Sequence, residues 1–215
     1  MKLRAIMTFL VASFFITSCT FWGVRGNGQL KTESRKIAEF TKLDASGSYS
    51  IKIKVGESPS LRIKAEENLL SLIRTRIKGN TLVIDNKKNL SPRKELLIEI
   101  TTKDLTAIDC SGANDIEVVG ISADKFELNL SGAGSIELEG NVDNFHGNIS
   151  GAGSISASSL IADKVYISVS GAASANVYAK EFLDAQVSGV GSINFYGNPQ
   201  NTRTNVSGVG SINRK

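Results

Sequence analysis

Leu130-Ser131-Gly132-Ala133-Gly134-Ser135-Ile136-Glu137-Leu138-Glu139-Gly140 holds two short period-2 patterns joined by a Ser-Gly-Ala-Gly corner. The same phrase begins at Ser111, Ser131, Ser150, Ser170, Ser188 and Ser207, at intervals of 20, 19, 20, 18 and 19 residues. A period in this range marks a stacked repeat, because one unit cannot bury an apolar face without a neighbour above or below it. Each unit contains strand-like alternation and no helical stretch. The expectation is an all-β chain, a parallel β-helix (β-solenoid) of about six regular coils of 18–20 residues with an irregular β N-terminal half.

Alignment on the serine gives each column a physical meaning. One residue before it stand Cys110, Leu130, Ile149, Val169, Val187 and Val206, and three before it Ile108, Leu128, Gly147, Ile167, Ala185 and Thr204. Five after it come Ile116, Ile136, Ile155, Ala175, Ile193 and Ile212, then two further on Val118, Leu138, Ala157, Val177 and Phe195. Side chains alternate between the faces of a strand, so these columns predict a continuous interior, with the intervening Asp, Asn, Glu and Ser columns outside. Gly112, Gly132, Gly151, Gly171, Gly189 and Gly208 follow every serine and predict left-handed corners; two residues later Asn114, Gly134, Gly153, Ala173, Gly191 and Gly210 repeat the demand for small or φ-tolerant residues.

Upstream, Lys2 and Arg4 precede an apolar run from Ala5 to Ile16 that ends in Thr17-Ser18-Cys19. The run is too short for a stop-transfer helix and reads as an export signal over residues 1–18. Ile16-Thr17-Ser18-Cys19 resembles a bacterial lipobox, which makes Cys19 the lipidated residue and residues 19–36 a tether, flexible by its Gly-rich composition from Gly23 to Arg35. The remaining chain, 37–215, divides into irregular strands over 37–106 and the Ser-Gly-x-Gly repeats over 107–215. Loss of Lys2 and Arg4 lowers the formal charge from +4 to +2. The basic residues, such as Arg74, Arg76, Lys78, Lys87, Lys88 and Arg93, have no aromatic residues interleaved, so no nucleic-acid platform is expected. With Cys19 lipidated, Cys110 is the only thiol left; it stands in an apolar column and reads as a small buried hydrophobe.

Within the first half, Ile51, Ile53 and Val55, Leu61, Ile63 and Ala65, and Leu96, Ile98 and Ile100 alternate as strands, while Gly56-Glu57-Ser58-Pro59 and Gly79-Asn80 signal turns. Glu66 to Ile73 suits one short helix. Asp44-Ala45-Ser46-Gly47-Ser48-Tyr49-Ser50-Ile51 reads as a degenerate copy of the repeat phrase. This half therefore starts the stack and caps it, as atypical terminal repeats do.

From about Ile37 onward the chain resembles the autotransporter adhesin head domain family, also called the head GIN domain family, common in Bacteroidetes lipoproteins. Gly79-Asn80-Thr81-Leu82-Val83-Ile84, the Ser-Gly-x-Gly repeats and Tyr196-Gly197-Asn198-Pro199 carry the resemblance. It implies a parallel β-helix and an envelope location, and supplies no catalytic or binding residues.

An enzyme on a β-helix needs clustered acids and bases at facing positions. The repeats offer Glu117, Glu137 and Glu139, no arginine before Arg203, and a single histidine, His146. No metal, cofactor or catalytic set is expected. Stacked Asn and Ser columns at the ~4.8 Å strand spacing match a repetitive polymer such as a glycan, or simply hydrogen-bond along the stack. Asn129, Asn148 and Asn194, with Tyr178 and Tyr196 in one outward column, form the candidate ligand surface. The expected function is a noncatalytic envelope lipoprotein acting in adhesion or glycan binding; a purely structural envelope protein and a carbohydrate-active β-helix enzyme are the alternatives. The expected location is lipid-anchored at the outer membrane, periplasmic or surface-facing.

Overall fold

The structure is a computed structural model and describes residues 23–215; the expected signal peptide and Cys19 lie outside the described residues. In chain order the elements are β1 (Val24–Arg25), β2 (Leu30–Arg35), β3 (Lys42–Gly47), β4 (Ser50–Val55), β5 (Ser60–Glu66), α1 (Glu67–Leu70), β6 (Ile73–Lys78), β7 (Thr81–Asn86), β8 (Leu90–Ser91), β9 (Leu97–Thr102), β10 (Ala107–Gly171), β11 (Ser174–Gly189), β12 (Ser192–Tyr196), β13 (Asn201–Gly208) and β14 (Ser211–Arg214). The described residues are all-β apart from the single turn of α1.

The 65 residues of β10 would reach about 200 Å as one straight strand. They are instead folded back repeat upon repeat. A Cβ placed on Gly132 would stand 2.1 Å from the Gly112 carbonyl oxygen, and one on Gly151 2.2 Å from that of Gly132. The pairing is parallel at an offset of one repeat. Ser170 lies opposite Ser188, and Ser188 opposite Ser207, with their glycines aligned beside them. β12 pairs in parallel with β11 on one side and β14 on the other. The degenerate phrase takes its expected place: Ser46 and Gly47 oppose Ser111 and Gly112, and Ile51 opposes Ile116.

Identical spacing lets each apolar side chain stack on its counterpart one repeat away, and the buried residues form a single core cluster. The aligned inward columns are buried through the fifth copy; Thr204 and Val206 in the sixth are exposed. A further inward column, five residues before the serine, adds Phe126, Phe145, Val165 and Leu183, all 1 % exposed or less. Alignment on the serine contained this column, but its mixture of aromatic and aliphatic residues hides it.

At the other end the sheet is mixed and open. β7 and β9 continue the parallel stack beneath β3 and β4. Direction then reverses: β6 runs antiparallel to β7, β5 to β9, and β2 to β5. Gly79, at φ 58, and Asn80, without positive φ, make the two-residue turn between β6 and β7, the φ pattern of a type II′ hairpin. β9 thus sits between β4 and β5, so the chain order differs from the stacking order. The helix is shorter than expected because Leu69 and Leu70 turn into the core and Ile73 already opens β6. Residues 24–25 and 30–35 of the expected flexible tether are strands.

The corners also differ in part from the expectation. Five of the six glycines after the serine have the expected positive φ and Gly132 does not, while among the described residues no residue other than glycine has positive φ. Asn114 is therefore not a left-handed residue. It is buried, its Oδ1 accepts from the Tyr49 amide at 3.2 Å, and its Nδ2 donates to the Ser111 carbonyl at 2.9 Å. What the repeat glycines share is close approach to the backbone one repeat below.

Candidate recognition surface

The outward columns form a regular polar surface, and much of their polarity is spent internally. Asn129 Nδ2 donates to Asp109 Oδ1 at 2.8 Å, and Asn148 Nδ2 to Asn129 Oδ1 at 3.1 Å. On the second strand of the repeat, Asn194 Nδ2 donates to Asn176 Oδ1 at 3.0 Å and Asn213 Nδ2 to Asn194 Oδ1 at 3.5 Å. These are short amide ladders: Asn129 and Asn194 each use their donor on the repeat before and offer their oxygen to the repeat after. Asn129, Asn148 and Asn194 therefore reach a ligand only with their remaining valences.

Tyr178 and Tyr196 face each other in register on β11 and β12, both half-buried. Neither ring belongs to an aromatic pair among the described residues. The Tyr178 ring leans over Gly197, where an added Cβ would meet its Cε1 at 3.2 Å. Beside the two tyrosines stand Ser174, Asn176, Ser192 and Asn194, aligned by the same pairing. The result is a polar face with two neighbouring aromatic side chains at its edge.

A second aromatic column escaped the sequence reading. Four residues before the serine stand Glu127, His146, Tyr166, Asp184 and Arg203. His146 and Tyr166 stack at 4.6 Å between ring centroids and 17° between planes; Phe182 lies 5.4 Å from Tyr166, and the Arg203 guanidinium sits 5.7 Å above Phe182. The ring faces are occupied by one another, so this column works as a ladder. Burial pushes the His146 pKa down and Lys125 pushes it the same way, against a smaller opposing pull from Glu127. The same alignment held the signal, since His and Tyr in successive copies of one outward column are stacking partners.

Of the carboxylates considered for catalysis, Glu117 and Glu137 line one groove from successive repeats, with Lys52 beside them. Glu117 Oε2 is held 2.9 Å from Lys52 Nζ. Lys52, Glu117, Arg62 and Glu99 line a cleft of about 410 Å³ whose charges pair across it, Arg62 with Glu99 at 3.8 Å. Among the described residues, no group of three or more His, Cys, Asp or Glu is placed to hold a metal ion. No helix among the described residues is long and apolar enough to cross a membrane. Cys110 is 3 % exposed, and burial together with Asp109 and Asp44 pushes its thiol up to about 12.

Comparison with solved structures places the fold among bacterial proteins of the same size. A crystal structure titled a "putative adhesin" from Bacteroides fragilis is 28% identical, with a TM-score of 0.75, covering 90% of this chain and 100% of that one. A "putative adhesin" from Parabacteroides merdae is 19% identical at a TM-score of 0.53, covering 90% and 99%. A "Putative lipid binding protein" from Parabacteroides distasonis is 24% identical at 0.53, covering 90% and 100%; at these last two identities the likeness is one of fold. Comparison with curated proteins gives no match. A family model matches residues 39–199, well over half of the chain, and the chain belongs to the family it describes, "Putative auto-transporter adhesin, head GIN domain".

Proposed function

We propose that the chain is a noncatalytic adhesion module, a parallel β-helix held on the cell envelope by lipid at Cys19, which binds a glycan or related envelope polymer across the outer face of its last repeats. The observation that supports this reading is the pair Tyr178 and Tyr196. They are adjacent outward aromatic side chains without an aromatic partner among the described residues, set beside polar columns that repeat at the strand spacing. Sugar rings stack on such side chains, and a lost aromatic contact is worth about 0.5–1.5 kcal/mol beyond its area. Replacing Tyr178 and Tyr196 together by Ala should weaken binding to envelope polysaccharide, or to its best glycan on an array, at least several-fold, with an unchanged circular dichroism spectrum. Unchanged affinity overturns the assignment of the face. Polysaccharide turnover that disappears on mutating Glu117, Glu137 or Glu139 overturns the noncatalytic reading.

The amide ladders favour a second reading, a structural envelope protein whose outer columns serve the stack itself. A glycan array without any specific binder would put that reading first.

A further inference from the structure

The N-terminal segment is clamped to the body at a defined place. Val24 N donates to the Asn89 carbonyl at 2.8 Å and Gly26 N to that of Ser91 at 3.1 Å, pairing β1 in parallel with β8. The Glu66 carboxylate, 1 % exposed, accepts the amides of Gly28 at 2.5 Å and Arg93 at 2.7 Å. Asn68 adds two bonds, accepting from Asn27 N and donating to the Arg25 carbonyl. The described chain therefore begins at Gly23, directly against Leu90 and Ser91: a Cβ on Gly23 would stand 2.9 Å from the Leu90 carbonyl carbon.

That point is flanked by positive charge. Lys87 and Lys88 precede β8, Arg93 and Lys94 follow it, and Arg25 is in its partner strand; all five are exposed and none is in an ion pair among the described residues. Arg93 faces the buried Glu66, whose charge it partly offsets. Lys87 Nζ donates to the Ser71 carbonyl, a neutral partner, at 2.8 Å. Glu95, the nearest acid in sequence, acts on Lys52 on the other side of β9. Lys87, Lys88, Lys94 and Arg25 remain as exposed cations outside the ion pairs, on or flanking the β1–β8 pair.

We infer that this basic collar, Arg25, Lys87, Lys88 and Lys94, is a membrane-contact surface that binds anionic phospholipid headgroups and holds the module upright on the bilayer. The inference rests on the lipid anchor at Cys19 proposed above. Cys19 lies four positions before Gly23, a reach of at most about 14 Å fully extended. A lipid at Cys19 therefore keeps the collar within one or two Debye lengths of the headgroups, at ~8 Å in physiological salt. Each Lys or Arg at an anionic surface strengthens binding about five-fold, and a lipid chain with a basic patch makes a two-signal anchor. The clamp sets the direction: the collar faces the bilayer, and β14, roughly 30 Å up the stack from β9 at ~4.8 Å per strand, points away with Tyr196 near it.

The full-length lipoprotein tests this in vesicles of phosphatidylcholine alone or with phosphatidylglycerol, both carrying headgroup-attached quencher. Fluorophore is attached at Asn89→Cys in one preparation and Ser211→Cys in another, Cys110 being buried. The expected result is quenching at position 89 several-fold above that at 211 in anionic vesicles, and reduced at least three-fold by high salt, by phosphatidylcholine alone, or by the combined Lys87→Gln, Lys88→Gln and Lys94→Gln variant. Quenching at 89 that ignores lipid charge, salt and the three substitutions overturns the collar alone. Failure of the wild type to take up a labelled fatty-acid analogue at Cys19 overturns the anchor and the collar together.

Discussion

Three glycine-to-alanine substitutions separate two reasons for a glycine. Gly79 has φ 58 and open space around its missing Cβ; Gly132 lacks positive φ, but its Cβ would stand 2.1 Å from the Gly112 oxygen and 2.8 Å from its nitrogen; Gly112 combines φ 94 with a 2.2 Å approach to the Gly47 oxygen. Alanine at Gly79 meets only the left-handed penalty, about 1–2 kcal/mol. At Gly132 contact at 2.1 Å must open by more than an ångström, which parts the backbones of two stacked repeats. Overpacking costs about 1–3 kcal/mol, and each ladder hydrogen bond stretched out of range adds about 0.5–1.5 kcal/mol, so about 3 kcal/mol or more is expected. Gly112→Ala should lose more still, because strain and contact add. Urea unfolding midpoints with unchanged slopes give the three values on one scale. Equal losses at Gly79 and Gly132 would refute the close-approach account and return the corners to a matter of φ alone.

Cys110 should resist thiol reagents without denaturant, since a thiol at about 12 has almost no thiolate at neutral pH. Because its folded pKa lies above the ordinary value of 9.0, its contribution to stability is complete below pH 9 and is lost as pH rises toward 12; Cys110→Val should remove that alkaline loss. For Glu66, burial pushes the pKa up, but the amides of Arg93, Gly28 and Lys94 outweigh it and hold it below 4.5. Its contribution is therefore present above pH 4.5 and is lost as pH falls through the lowered folded value. Amide-exchange protection at Gly28 and Arg93 should drop in acid before that of the repeat core, and a uniform drop would contradict the clamp.

Repetition made one half of this molecule readable and the other half opaque. A column of Ile116, Ile136 and Ile155 states its own burial, because six aligned copies average out local accident. The first half has no such average. Nothing between Val55 and Leu97 announces that β9 will slide between β4 and β5, since that pairing joins residues about forty positions apart and depends on which edge is left open once β3 and β4 have joined the repeats. The Gly-rich composition of residues 23–35 suggested a free tether, yet carbonyls at Asn89 and Ser91, the Asn68 side chain and the buried Glu66 carboxylate on β5 supply acceptors for its backbone amides. Composition reports entropy; it carries no information about a distant acceptor.

The same regularity conceals function. A column that stacks for stability and a column that binds a repeating ligand have the same period, so periodicity alone cannot separate them. Partner satisfaction can. Asn148 donates to Asn129 and Asn194 to Asn176, so the groups that would meet a polymer are already joined along the stack. His146, Tyr166, Phe182 and Arg203 cover one another's faces in the same way. Tyr178 lies opposite Ile161 across a register shift on one side and Tyr196 on the other, so no common chemistry runs along this column. A site on a repeat protein should be sought where a column breaks its own rule, because a residue that does nothing for its neighbours above and below is free to act on something outside.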